Sequence, residues 1–202
     1  MSYIQIIPPD QSRGRLEKIY RMVQAPDGQV DNVLQVHSLR PHTLAGHMAI
    51  YKAVLHHTAN TLPEWYLEAV GVLVSRLNGC GYCAGHHAEG MKRLLKADAR
   101  DADAYLLALS EDIPGPPFSG REQLGLAYAR KLTHAPCQIE EADIVALREA
   151  GFADGEILEL NQVAAYFAYA NRTVTGLGVN TADEVLGRSP QTGDDKSGWS
   201  HG

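Results

Sequence analysis

At 202 residues with 45% hydrophobic content, the chain is long enough to bury one substantial core, and such a composition excludes disorder throughout. A formal net charge of -6 argues against partners that need a basic surface, namely nucleic acid and anionic membrane. The longest apolar stretch, about residues 69–74, falls far short of the roughly 20 residues of a membrane helix, and the opening residues lack the basic and apolar regions of a signal peptide, so the cytoplasm is the expected compartment.

Along the chain, Tyr3 to Asp10 carries two prolines and reads as part of an extended arm over residues 1–12, followed by helical spacing from Arg15 to Val23. Pro41 opens a helix with Leu44, Met48, Tyr51, Val54 and Leu55 on one stripe, running to about His57. Thr61-Leu62-Pro63-Glu64 matches a capping box with an early proline, and the helix it starts should stop at Asn78-Gly79, a pair suited to positive φ. Tyr82 to Lys96 resumes the helical pattern, which puts Cys80 and Cys83 at a helix N-terminus. Ala102 to Leu109 is a short helix, and Pro114-Gly115-Pro116-Pro117 a linker. Ser119-Gly120-Arg121-Glu122 is a second capping box, leading a helix to about Thr133; two more follow, near 140–150 and 154–175. These elements make an all-α fold in one domain, residues 1–186, with a flexible tail at 187–202.

Three cysteines are too few and too odd for a disulfide scaffold, so the close pair points to redox chemistry or metal, while Cys137 reads as a buried or bystander thiol. Only a thiolate attacks a peroxide or a disulfide, and a helix N-terminus lowers the thiol pKa through its partial positive charge and free amides. Two residues between the sulfurs allow a disulfide across one turn. His87, four residues after Cys83 and on the same face, is placed to exchange the thiol proton, with His86 as its rival. An orienting carboxylate is available in Glu64 or Glu68, and Glu68 is preferred because it interrupts an apolar run. A zinc site on C-x-x-C-x-x-x-H, with Glu68 or His86 as fourth ligand, is the competing reading, although no second cysteine pair exists. The other histidines, His37, His42, His47, His56, His57, His134 and His201, share no ligand spacing and read as surface or satisfied core residues. His47 and His56 lie where they could line a pocket. Trp65, Tyr66, Tyr166, Phe167 and Tyr169 sit at helical spacings as core, and no glycine-rich phosphate loop is present, so no cofactor is expected.

Glu68, eleven intervening residues, Cys80-Gly81-Tyr82-Cys83 and then His87 resemble the signature of the alkylhydroperoxidase D-like proteins of the carboxymuconolactone decarboxylase superfamily. The runs 74–80, 127–133, 147–152 and 165–172 are similar to its peroxidase-related branch, and the resemblance spans roughly residues 15–180. It implies an all-helical oligomer that reduces hydroperoxides without metal, haem or flavin. Cys83 would be the attacking cysteine, Cys80 the resolving one, and Glu68 and His87 the proton relay. The best-known peroxidase members carry a histidine where this chain has Tyr82, a far weaker base, so Tyr82 and His86 are possible tuning positions.

The sequence thus points to a dithiol peroxidase acting on a hydroperoxide, regenerated by a dithiol such as a lipoyl protein or thioredoxin, and forming a homo-oligomer. Decarboxylase or isomerase chemistry on a lactone is the alternative enzyme, disfavoured because it has no use for a disulfide. A thioredoxin-like exchanger lacks the strand that should precede its C-x-x-C. A redox sensor or metal-binding protein without turnover is the reading from a different class.

Overall fold

A computed structural model of the chain describes residues 2–25, 27–111, 114–182 and 184–187. The expected flexible tail lies outside them, Gly187 excepted. Among these residues every regular element is helical: α1 (Gly14–Val23), α2 (Asn32–Gln35), α3 (Pro41–Tyr51) with a π-helical continuation (Lys52–His56), α4 (Glu64–Leu77), α5 (Gly81–Ala97), α6 (Ala102–Ala108), α7 (Gly120–His134), α8 (Glu141–Glu149) and α9 (Asp154–Gly176). Short 3-10 turns lie at Pro9–Gln11 and Pro136–Gln138. The all-α single domain expected from the helical spacing is the fold observed. No helix among the described residues is long and apolar enough to cross a membrane.

The centre of the molecule is α4. Every residue from Trp65 to Ser75 is buried, so this stretch of the helix presents no solvent face, and α5, α7 and α9 pack around it. Close approach needs glycine at two places. A Cβ at Gly71 would lie 2.3 Å from the Phe167 ring of α9, and one on Gly125 of α7 would lie 2.3 Å from the Tyr66 hydroxyl. That hydroxyl donates to the Glu122 carbonyl at 2.7 Å.

The capping boxes divide. Ser119 and Glu122 form both bonds of theirs at the start of α7. Thr61 caps nothing: α4 starts after Pro63, and the amides of Thr61 and Leu62 donate instead to the Glu159 carboxylate of α9, each at 2.8 Å. A tertiary acceptor has replaced the local one, and it ties the start of α4 to α9. The N-terminal arm is extended apart from its 3-10 turn, and it is held down at both ends, where the Tyr3 amide donates to the Leu177 carbonyl and the Ile7 amide to Ser38 Oγ.

Because Phe167 has no room to retreat from a methyl group, Gly71→Ala should destabilise the protein by about 1–3 kcal/mol through overpacking. Denaturant unfolding monitored by circular dichroism measures this. An unchanged midpoint would show that α4 and α9 can separate without cost.

Candidate active site

The turn between α4 and α5 builds the thiol site. Gly79 takes φ +67°, the left-handed conformation that ends α4, and the Cys80 amide donates to the Ser75 carbonyl at 2.8 Å. Cys80 is thereby the N-cap of α5, and the Cys83 amide points at its sulfur, 3.5 Å away. The Cys83 thiol, hydrogen bonded to Cys80, holds the Cys80 thiol down to about 6 against its burial, with help from the Cys83 amide and from the side chains of Thr175 and Asn171 on α9. The same bond, burial and the Cys80 charge push the Cys83 thiol well up. The pair therefore carries one stabilised thiolate and one retained proton. Cys137, in contrast, is exposed.

Glu68 is completely buried, and its Oε2 accepts from His87 Nδ1 at 2.6 Å. This fixes the proton on Nδ1 and leaves Nε2 for exchange. Glu68 Oε1 is buried with no hydrogen-bond partner among the described residues. The alternative carboxylate, Glu64, is used elsewhere: its Oε1 bonds His56 Nδ1 at 2.7 Å. The Phe167 ring meets His87 edge-on at 4.6 Å between centroids, so the residue that needs Gly71 also braces the imidazole.

Cys83, His87 and His86 share the wall of a cavity of about 50 Å³ with Tyr51, Tyr166 and Phe167. His47, expected among the satisfied core histidines, is buried and also lines this cavity, 3.4 Å from the Tyr166 hydroxyl. Trp65, Tyr66, Tyr166 and Phe167 are core as expected, whereas Tyr169 is 42% exposed.

Tyr82 does not face the thiols with its hydroxyl. The hydroxyl donates to Glu184 Oε1 at 2.7 Å and accepts from the Val33 amide at 3.2 Å, while the ring stacks on His86 at 4.5 Å. Burial first, and then the Glu184 charge, push its pKa far above that of an ordinary phenol, so it is no base. Glu184 in turn is raised to about 7, chiefly by burial, with Tyr82 opposing and Asp31 adding to the rise. Among the described residues, Asp31, His86 and Glu184 are the group of histidine, cysteine and carboxylate side chains close enough to share an ion, and it includes neither cysteine.

Several residues at the site carried no local signal. Asn171 donates to Ser75 Oγ at 3.0 Å, accepts from Asn78 at 3.0 Å and acts on both thiols. It lies 91 positions beyond Cys80, in a run noted only for its resemblance. Asp31 and Glu184 stand in none of the motifs of the sequence.

No protein-family profile matches the chain, and no curated protein sequence matches it. Solved structures do. An uncharacterized peroxidase-related protein from Silicibacter sp. TM1040 is 26% identical over 87% of this chain and 86% of its own, with a TM-score of 0.71. An uncharacterized peroxidase-related protein from Ralstonia eutropha JMP134, described as an alkylhydroperoxidase AhpD core, is 26% identical over 94% of this chain and 98% of its own, with a TM-score of 0.74. In fold the chain is similar to these peroxidase-related and alkylhydroperoxidase D-like proteins, consistent with the family that its sequence resembles. The debrominase Bmp8, solved with 2,3,4-tribromopyrrole, is 16% identical over 87% of this chain and 91% of its own at a TM-score of 0.65, a likeness of fold alone. All four residues of the quoted signature lie on α4, α5 or the turn joining them.

The thiol pair makes a measurable claim. Ultraviolet absorbance of the thiolate should report one ionisation with a midpoint near pH 6, rising as pH increases, and a second well above the ordinary thiol range. Asn171→Leu should move the first midpoint upward. Two equivalent ionisations near the free-cysteine value would contradict the shared proton.

Proposed function

We propose that the chain is a thiol-dependent peroxidase that reduces hydroperoxides through Cys80 and Cys83 with Glu68 and His87 as proton relay. The observation that carries this reading is the buried Glu68–His87 hydrogen bond on the wall of the cavity that Cys83 also lines. With the charge favoured on Cys80, the Cys83 proton passes to His87 Nε2 as substrate enters. Cys83 thiolate then attacks the terminal peroxide oxygen: an S–O bond forms, the O–O bond breaks, and the alkoxide leaves with a proton from His87. Cys80 thiolate attacks the resulting sulfenic acid at sulfur, forming the disulfide, and the departing hydroxide takes a proton from solvent and leaves as water. An external dithiol, such as a lipoyl protein or thioredoxin, supplies two electrons and two protons to restore the thiols.

A cavity of about 50 Å³ has room for a few water-sized groups, which suits a small peroxide better than a brominated ring such as that bound by Bmp8. Lactone decarboxylation stays disfavoured, because the thiol pair has no role in it. The cytoplasm remains the proposed site of action.

Steady-state reduction of several hydroperoxides with several dithiol donors is the test. Cys80→Ser and Cys83→Ser should each abolish turnover, and Glu68→Gln or His87→Asn should slow it by about 10²–10⁴-fold. The double variant should lose little more than one single variant, since relay members act as a unit. Stoichiometric thiol oxidation without turnover would overturn the enzyme reading in favour of a sensor.

Assembly into a homo-oligomer belongs to the same proposal. Ile50 and Tyr169, 48% and 42% exposed, border a groove of about 270 Å³ between α3 and α9 that a second copy would cover. Light scattering should give a multiple of 22.0 kDa, and a clean monomer at micromolar concentration would contradict it.

A further inference from the structure

We infer that Asp31, His86 and Glu184 form a binding site for one divalent first-row metal ion, separate from the thiols and joined to them through Tyr82. Each of the three offers a ligand atom, and those atoms all lie within 4.8 Å of one another. Donors that close converge on one ion at about 2.0–2.2 Å with small side-chain movements.

The positions come from three distant parts of the chain: Asp31 is the N-cap of α2, His86 lies in the second turn of α5, and Glu184 follows α9. Such convergence differs from the acidic clusters that solvated loops produce by composition. The Glu184 side chain is only 5% exposed. Its Oε1 is occupied, by the Tyr82 hydroxyl at 2.7 Å and the Asn32 amide at 3.0 Å. Its Oε2 is buried with no donor among the described residues, and the carboxyl of Asp31 lies close enough to share a proton with Glu184, a place that a cation can take instead. A buried carboxylate oxygen beside a second carboxylate is an arrangement that a cation completes. His86 Nε2 lies 3.7 Å from Glu184 Oε1, on the side of the ring that faces the carboxylates.

One imidazole and two carboxylates favour an ion such as Mn²⁺ or Zn²⁺ over soft Cu(I). Metal on Nε2 would place the ring proton on Nδ1, giving up the long 3.4 Å contact from the Gly187 amide. The ion would fasten the segment around Glu184 to α2 and α5 at the edge of the cavity, of which Asp31 and His86 are wall residues.

Mn²⁺ is the probe of choice, because thiolates bind it poorly and the Cys80–Cys83 pair would compete for zinc. Chelator-treated protein is titrated with Mn²⁺ while the paramagnetic resonance signal of the free ion is followed. One ion per chain should bind, in wild type and in Cys80→Ser/Cys83→Ser alike. Asp31→Asn and Glu184→Gln should each weaken binding by at least about 10-fold, as losing even an outer partner of a metal ligand does. Circular dichroism and the thiolate absorbance of both variants serve as controls for folding. Absence of saturable binding in wild type would overturn the site, as would a Glu184→Gln variant that is folded and binds with unchanged affinity. Peroxide turnover is not read in this experiment, so its result stands apart from that of the peroxidase proposal.

Discussion

Burying a carboxylate costs several kcal/mol unless a partner and geometry compensate it, and Glu68 is buried completely at the middle of the most enclosed helix in the molecule. Its partner is His87 at 2.6 Å, so α5 must lie against α4 in the register that sets position 87 opposite position 68. The rest of the site follows from that register. The same placement brings Cys83, one turn before His87, to the cavity wall, and sets Phe167 edge-on against the imidazole. Gly71 completes the constraint from below, since no other side chain there would leave Phe167 its place. A polar bond and a steric gap thus fix one imidazole between them.

The second support is α9, which reaches the site twice. Phe167 braces the His87 imidazole, and one turn later Asn171 joins Ser75 on α4, Asn78 in the turn and the thiols at the head of α5. A single side chain therefore spans the end of one helix and the start of the next. Cys80 is lowered and Cys83 raised by this enclosure: a hydrogen bond between the sulfurs, the Cys83 amide and polar groups from α9 stabilise one charge that burial alone would oppose.

Tyr82 has a different part from the histidine of the best-known peroxidase members. Its hydroxyl is spent on Glu184 and the Val33 amide, and its stacked ring holds His86 beside the carboxylates. Substituting this residue into the C-x-x-C removes a base and adds an anchor. The segment after α9 is fastened to the thiol-bearing helix in exchange, and Glu68 and His87 remain as the buried acid–base pair beside the thiols.

Local sequence was enough for the elements whose causes are local. The Ser119–Glu122 box, the Asn78-Gly79 break and the helical stripes of α3 and α9 each report on neighbours within a few residues, and the structure places helices there. The four signature residues were legible too, because a fixed spacing across one helix–turn–helix unit is itself a local property. Spacing also chose Glu68 over Glu64, since only Glu68 interrupts an apolar run. What the sequence could not convey was which distant groups answer a local one. Thr61 lost its capping role to Glu159, Glu64 was claimed by His56, and Tyr82 by Glu184, because a buried polar group bonds whichever partner packing delivers, not the nearest along the chain. Asn171, Asp31 and Glu184 carry no periodicity or motif of their own. Only the packing of α9 and the segment after it onto α2, α4 and α5 brings them together, and that decision belongs to the tertiary structure.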